Sequence, residues 1–393
     1  MNAQFLRALF TNYLMSTRSA PIVLVQEIHG VPSSHEKSDL PNLDFMRAVA
    51  VLLVLFGQLT YLGGITNLGP LTTYWMGAMG VRFFFVHTCL VLMLSLERQW
   101  KKQGGAELFT SFMIRRIFRI YPLSVAIVFF VVALRLPMAV IAPSRFFGLP
   151  LHPALIVSNL LLVQGPGHSI LGPMWSLPYE MAMYVILPWL FLFLYPNKSH
   201  WRISAVWLIS VLSCLAFLSY AGRTNAEYFF LYIPCFLPGV VAFQLQRTQR
   251  QRLPSILWPE LVLGIVLLSL YRQTLIGNGW FKSWILCLSL GLAVPFFDQI
   301  SARWLRVPSF LIAKYSYGIY LTHFFCLWFA LDRLHNSVPP LARLALFAVF
   351  VTVLPVLFYH LLEEPMILLG KRVAKRFEMT IARGRLAAVR VPS

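Results

Sequence analysis

The chain has 393 residues, of which 58% are hydrophobic and 12% are charged, and its mean hydropathy is +0.70. A soluble protein of this length could not bury so much apolar surface, whereas long uncharged runs match a lipid solvent. The formal net charge of +19 does not indicate a nucleic-acid partner, because the basic residues lie mainly in short segments between apolar runs. The sequence predicts an all-α, polytopic transmembrane helix bundle.

The first 40 residues mix polar and apolar side chains and include Pro21, Gly30 and Pro32. They show neither the apolar core nor the cleavage site of a signal peptide, so we expect a flexible cytoplasmic extension. The five cysteines lie within apolar runs and form no CxxC pair, which indicates packing residues. No metal and no tightly bound cofactor is therefore expected.

Eleven apolar segments follow, and charge decides how many of them cross the membrane. They lie at about 46–64, 75–96, 120–142, 150–166, 177–195, 203–221, 227–244, 255–271, 280–298, 309–331 and 341–362. If 150–166 crossed, the loops that carry Lys198 and Arg247 would lie opposite the basic loop 97–119. Basic loops favour the cytoplasm, so we predict ten spans and a re-entrant segment at 143–176. Re-entrant backbone needs protein or water to satisfy it, which indicates a nearby cavity.

This arrangement predicts a multi-pass protein of the inner (cytoplasmic) membrane, surrounded by membrane lipid, with both termini in the cytoplasm. The expected regions are the extension at 1–40, a transmembrane domain at 41–366 and a basic cytoplasmic tail at 367–393. Seven basic residues follow Glu364, which supports the cytoplasmic position of the tail.

The first span carries two polar side chains, Arg47 and Gln58, in an otherwise apolar run. A separation of eleven residues puts them within about 20° of one helix face, roughly 16 Å apart along the axis. In the second span, we expect His87 at a depth within roughly 5 Å of that of Gln58. The alternative for His87 is a histidine hydrogen-bonded in the core.

Arg115, Arg116 and Arg119 form a cluster where the chain re-enters the membrane. Such a cluster either sets the topology or binds an anion, since guanidinium groups suit phosphate oxygens. At the cytoplasmic mouth of a cavity, it would suit a phosphorylated donor such as a coenzyme A thioester.

Polar side chains also fall in two further apolar segments. Glu180 is the only acidic residue between Glu107 and Glu227, and an ionisable group inside a membrane is a candidate functional residue. The alternative is a carboxylate that satisfies the amides at a helix start. Near the end of the chain Tyr320 and His323 share a face with Ser316, which lines either a cavity or a polar helix contact.

Six stretches of the sequence form a set: LDFMRAVAVLLVLFGQL (43–59), GVRFFFVHTCLVL (80–92), IRRIFRIYP (114–122), GPMWSLPYEMAMY (172–184), YSYGIYLTH (315–323) and LLEEP (361–365). In this order and spacing they resemble the acyltransferase-3 family of integral membrane O-acyltransferases, over about residues 40–370. The resemblance implies about ten transmembrane helices. It also implies transfer of an acyl group, usually acetyl from acetyl-coenzyme A, to a hydroxyl of a cell-surface glycan, lipid-linked sugar or small molecule.

The chain departs from this family in two places: at Gln58 in the first helix, and at GVRFFFVHTCLVL in the second span, where many relatives read roughly GVDLFFVLSGFL. The first helix of the family carries Arg-x10-His, and here Arg47 fills the arginine position while Gln58 replaces the histidine. An imidazole can take a proton from a hydroxyl, whereas an amide can only orient it or donate a hydrogen bond. His87 is a candidate replacement for the base. The alternative is a catalytically weakened relative.

Together, the residues and the resemblance predict an acyltransferase with an acyl-coenzyme A co-substrate and a glycan or lipid-linked sugar acceptor. The predicted catalytic residues are Arg47, Gln58 and His87, which we expect to line one cavity, and Glu180. The predicted donor-binding residues are Arg115, Arg116 and Arg119. The predicted acceptor side consists of Trp175, Ser176, Tyr184, Tyr320 and His323. The rival hypothesis is a protein that binds or exports a glycan or a lipid-linked intermediate.

Overall fold

The computed structural model describes residues 40–73, 75–103, 107–136, 139–142, 145–147, 151–165, 168–195, 200–219, 228–249, 251–271 and 279–389. The expected extension at 1–40 lies outside these ranges, apart from Leu40. Residues 390–393 of the expected tail also lie outside them.

The structure is an all-α bundle, as predicted. Its α-helices are α1 (Pro41–Leu62), α2 (Met76–Gln103), α3 (Leu108–Leu134), α4 (Pro153–Leu160), α5 (Leu177–Leu194), α6 (His200–Ser219), α7 (Tyr228–Gln246), α8 (Leu257–Leu270), α9 (Gly279–Ala293), α10 (Arg303–Leu327), α11 (Pro340–Phe358) and α12 (Glu364–Val389). The strands form two short antiparallel pairs, β1 (Asn67–Leu68) with β2 (Leu71–Thr72) and β3 (Ala139–Ala142) with β4 (Arg145–Phe147). A 3-10 turn, Gly172–Ser176, leads directly into α5.

Each of the ten predicted spans overlaps one of the helices α1–α3 and α5–α11. Within the described residues, seven helical stretches are long and apolar enough to cross a membrane, and α7 and α8 provide shorter apolar helices. Most of α2 is buried inside the protein, where it packs against α1, α5, α7 and α9. This helix therefore forms the centre of the bundle.

The third span differs from its expected bounds, because the apolar run to residue 142 is not helical to its end. Helix α3 ends at Leu134, and Arg135 follows in the left-handed conformation with φ 48° and ψ 45°. Residues 139–142 then form β3. A left-handed residue ends a helix, and Pro137 in the sequence could not continue one.

Between β4 and α5 the only described α-helix is α4, whose eight residues rise about 12 Å, far short of a bilayer. Polar side chains satisfy the surrounding irregular backbone. Asn159 Nδ2 donates to His168 O over 2.9 Å, its Oδ1 accepts from Ile170 N over 3.0 Å, and Gln164 Nε2 donates to Met174 O over 3.0 Å. Internal partners of this kind are what non-helical backbone needs at membrane depth.

Glycines set the register of α1 against α2. A Cβ atom on Gly80 would lie 2.9 Å from Val54 Cγ2, too close for any larger residue, and one on Gly77 would lie 3.7 Å from Gln58 Nε2. The two helices run in opposite directions, so each turn further along α2 faces a turn earlier on α1. His87 lies about two turns beyond Gly80 and therefore faces the turn of α1 that contains Arg47.

Helix α12 continues from the last span and packs along α3. Glu378 accepts hydrogen bonds from Ser111 Oγ and from Arg115 Nη2, the latter over 2.9 Å. A Cβ atom on Gly370 would lie 2.5 Å from Phe118 Cβ, so the two helices are in close contact there. The expected boundary between residues 366 and 367 falls inside α12, and the described part of the expected tail is helical.

Candidate active site

A cavity of about 270 Å³ lies among α1, α2, α3, α5 and α10. Its charged lining residues are four arginines and one glutamate: Arg47, Arg98, Arg116, Arg119 and Glu180. Uncharged polar and aromatic residues complete much of the wall: His87, Thr88, Ser176, Tyr184, Ser316, Tyr317 and Tyr320. We call this space the arginine cavity. Its excess of positive charge suits an anionic ligand.

Arg47 is fixed by a contact between α1 and α10. Its Nε donates a hydrogen bond to Ser316 Oγ over 2.5 Å, and Ser316 Oγ donates in turn to Ala313 O over 2.8 Å. This contact uses one of the five N–H donors of the guanidinium, which leaves the others for a ligand. The carboxylates in electrostatic range of Arg47 are Glu180 and Glu363.

Glu180 lies in the first turn of α5 and lines the arginine cavity. Its Oε2 accepts a hydrogen bond from Tyr184 Oη over 3.2 Å. The cations that act on it are Arg47 and Arg119. Glu180 therefore forms part of the polar wall that faces the arginines.

The three arginines predicted to bind a donor divide between two surfaces of α3. Arg116 and Arg119 line the arginine cavity, and Arg116 Nη2 donates to Ser95 Oγ over 3.2 Å. Arg119 makes no hydrogen bond or ion pair within the described part of the chain. Arg115 instead pairs with Glu378 and does not line the cavity, which corrects the prediction of one cluster. Successive helix residues point about 100° apart, so Arg115 and Arg116 face different neighbours.

A second cavity, of about 350 Å³, adjoins the first and has an uncharged lining when its histidine is neutral. Aromatic rings form much of its wall, together with one amide and one imidazole: Tyr61, Trp75, Trp175, Tyr320, Phe324, Gln58 and His323. We call this space the aromatic cavity. Trp175 packs against Tyr232 from behind, with ring centroids 5.3 Å apart.

The predicted grouping of Arg47, Gln58 and His87 in one cavity is not what the structure shows. Arg47 and His87 line the arginine cavity, whereas Gln58 lines the aromatic cavity. The similar depth expected for His87 and Gln58 is wrong, because Gln58 faces Gly77, ten residues and about 15 Å before His87 along α2. The error arose because α2 extends to Gln103, beyond the apolar run used to estimate the depth.

Val81 and Tyr320 line both cavities and mark their boundary. Tyr320 Oη donates to Pro173 O over 2.7 Å and lies 2.9 Å from Ser176 Oγ. The predicted acceptor-side residues divide accordingly. Trp175 and His323 line the aromatic cavity, and Tyr320 lines both. Ser176 and Tyr184 line only the arginine cavity, although they were predicted to lie on the acceptor side with Trp175 and His323.

Sequence reasoning did not single out several lining residues as parts of the site. Arg98 could have been found, because it follows His87 by eleven residues and shares its helix face, as Gln58 does with Arg47. Tyr61 and Trp75 gave no such signal, since they flank the irregular connection between α1 and α2.

Comparison with known proteins places this architecture in a family. Residues 40–360 match the family model described as an acyltransferase domain, and this range contains the lining residues of both cavities. No curated protein and no solved structure gives a match. The match covers most of the chain, which is therefore a membrane-spanning member of the acyltransferase-3 family.

Proposed function

We propose that this protein is a membrane O-acyltransferase that moves an acyl group from an acyl-coenzyme A to a hydroxyl of a glycan. The simplest donor is acetyl-coenzyme A, and the acceptor is a cell-surface or exported glycan or a lipid-linked sugar. The observation that most supports this proposal is that a cavity lined by arginines and a cavity lined by aromatic rings meet at Val81 and Tyr320. A transferase must bring two different substrates to one point, and these cavities suit substrates of different chemistry.

The charge of the arginine cavity supports its assignment to the donor. Coenzyme A is anionic through its phosphates, which guanidinium groups of Arg116 and Arg119 suit in geometry and charge. Arg98 is exposed near the end of α2 and adds positive charge at the mouth. With the phosphates held there, the thioester end of the donor extends past Arg47 and His87 to Tyr320, where it can meet a hydroxyl held in the aromatic cavity.

The lining of the aromatic cavity supports its assignment to a sugar. Flat aromatic rings such as Trp75 and Trp175 offer apolar faces to the C–H face of a sugar ring. The amide of Gln58 can both donate a hydrogen bond to a hydroxyl and accept one from it. The amide can therefore orient the hydroxyl, but it cannot act as a base. The volume of about 350 Å³ falls in the range of small-molecule sites.

Arg47 fits an electrostatic role in the proposed transfer. Arg47 lies roughly 16 Å along α1 from Gln58, so it acts on the donor and not at the attacking hydroxyl, as a fixed cation that attracts the negative charge of the bound coenzyme A. The contact with Ser316 holds the Arg47 guanidinium in place before the substrate binds. Glu180 balances part of the positive charge around it.

The proposed location is the inner membrane, with both termini and the mouth of the arginine cavity in the cytoplasm. This orientation gives the donor cavity access to cytoplasmic acyl-coenzyme A and places the basic loops on the side that they favour. The aromatic cavity then lies toward the opposite side, where exported glycans are found.

Mass spectrometry of surface glycans from cells with and without the gene tests the proposal. Acetylated glycan should disappear without the gene and return with the wild-type chain, and less of it should return with Arg119→Ala. An exporter would behave differently, because its loss would remove the whole glycan from the surface, both with and without acetyl groups. Unchanged glycan acetylation would contradict the proposed activity.

A further inference from the structure

His323 has a ring orientation set by the backbone of its own helix. Its Nδ1 lies 2.7 Å from Tyr320 O and 3.2 Å from Ile319 O, and the ring is buried. A carbonyl oxygen can only accept a hydrogen bond, so Nδ1 must carry the proton that is donated. In the neutral ring, Nε2 therefore has a free lone pair.

The other nitrogen of this ring has no internal partner. His323 Nε2 is buried and makes no hydrogen bond within the described part of the chain. Buried polar atoms are nearly always hydrogen-bonded, and an exception calls for a reason. Because the ring lines the aromatic cavity, a hydroxyl of a bound molecule is the natural partner for this atom.

The rest of the cavity offers no competing base. Among its described lining residues, His323 is the only imidazole, and none of them is a carboxylate, lysine or arginine. The titratable groups beside it are the phenols of Tyr61 and Tyr320. Tyr320 Oη is already a donor to Pro173 O. At neutral pH, His323 Nε2 is thus the proton acceptor that this cavity provides.

We propose that His323 is the general base of the transfer and takes the place of the imidazole that Gln58 lacks. This proposal rests on the proposed function. The acceptor oxygen forms a bond to the thioester carbonyl carbon while its proton passes to His323 Nε2. The carbon–sulfur bond then breaks, and the proton leaves His323 for the coenzyme A thiolate, so the products are the ester and the free thiol. Gln58 holds the hydroxyl in place.

Two substitutions separate a base from a structural residue. In His323→Asn, the side-chain amide can still donate to the carbonyls that Nδ1 now contacts, but no lone pair remains at the Nε2 position. In His323→Gln, the amide reaches toward the Nε2 position instead. A general base contributes about 10²–10⁴-fold to a rate, so both variants should lose at least about 100-fold of the transfer activity.

Transfer is measured as base-labile acetate on the envelope glycans of cells that express each variant. Acetyl-coenzyme A binding by purified protein in lipid nanodiscs provides the second measurement, and it should be unchanged because His323 does not line the arginine cavity. The control is His360→Asn. His360 is an exposed histidine that contacts Glu364 and Tyr315, and this variant should transfer acetyl as the wild type does.

The outcomes distinguish this inference from the proposed function. Loss of transfer in both variants, with donor binding retained, supports His323 as the base. Transfer at the wild-type rate in His323→Asn would overturn this role while leaving the acyltransferase function intact. A wild-type chain that neither binds acetyl-coenzyme A nor acetylates glycan would overturn the proposed function itself.

Discussion

Arg47 and Gln58 lie on one face of α1, three helical turns apart, and they line different cavities. The two positions of the family motif thus line two adjoining cavities, which share Val81 and Tyr320 as lining residues. It follows that donor binding and acceptor use can be changed separately by substitutions within the same helix.

Gln58→Ala should reduce acetyl transfer about 2- to 10-fold and leave acetyl-coenzyme A binding unchanged. The substitution removes a hydrogen bond to the acceptor, and such a bond contributes about 0.5–1.5 kcal/mol. Glycan acetylation and calorimetric binding of acetyl-coenzyme A to the purified protein measure the two effects. Gln249→Ala, at a position outside both cavities, is the control. If Gln58→Ala weakened the affinity for acetyl-coenzyme A, the donor and the acceptor would not bind in separate cavities as proposed.

Arg119→Ala should weaken acetyl-coenzyme A binding about 10- to 100-fold. Its guanidinium has no internal partner within the described chain and lines the arginine cavity, and a hydrogen bond to a charged group contributes about 1.5–3 kcal/mol. Turnover at saturating donor should change much less, because the phosphates are the same in the ground and transition states. Calorimetry and a donor titration of the transfer rate measure both quantities.

Arg115→Ala is the matched comparison on the same helix. Because Arg115 pairs with Glu378 outside the cavity, donor binding should be unchanged, while the melting temperature falls slightly. A partly exposed ion pair contributes about 0.2–1 kcal/mol. If Arg115→Ala weakened donor binding as much as Arg119→Ala, the division of the arginine cluster would be wrong.

Gly80→Ala should destabilise the bundle, whereas Gly264→Ala should not. A Cβ atom on Gly80 would lie 2.9 Å from Val54 Cγ2 and 3.0 Å from Leu53 Cβ, so α1 and α2 must separate, at a cost of about 1–3 kcal/mol. A Cβ atom on Gly264 has no neighbour within 4 Å, and alanine favours a helix by about 0.5–1 kcal/mol. Thermal unfolding in detergent compares the two. Equal melting temperatures would argue against the close contact of α1 and α2.

Single cysteines test the membrane orientation. The five native cysteines are buried and should not react with a membrane-impermeant maleimide. Cysteine at Asn336, which is exposed between α10 and α11, should be labelled in intact cells. Cysteine at Arg252, exposed between α7 and α8, should be labelled only after lysis. The reverse pattern would overturn the cytoplasmic position of the basic loops.

Much of the fold could be predicted from the sequence, because hydrophobic segments of spanning length have a direct physical cause. Charge distribution favoured a non-crossing segment at 150–166, and among its described residues the only helix is the short α4. The predicted end of the third span at residue 142 was wrong. Helix α3 ends at Leu134 because Arg135 adopts a left-handed backbone conformation, which hydropathy does not reveal.

The candidate site was predicted only in part. Helical periodicity placed Ser316, Tyr320 and His323 on one face but left open whether this face lines a cavity or forms a polar helix contact; in the structure all three line cavities, and Ser316 also contacts Arg47. It could not show that His87 faces Arg47, since the register of α1 against α2 depends on the contact at Gly80. Nor could it show that Arg115 faces α12, because Glu378 is distant in sequence.

The most direct test of the proposed acyltransferase activity is transfer of radiolabelled acetyl from acetyl-coenzyme A in inside-out membrane vesicles that contain this protein. These vesicles expose the proposed cytoplasmic mouth to the donor and retain the native acceptors. With acetyl-coenzyme A below saturation, we expect base-labile label in the glycan fraction with the wild-type chain, little with Arg119→Ala, and little with right-side-out vesicles. Label no greater than in vesicles without the chain would contradict it.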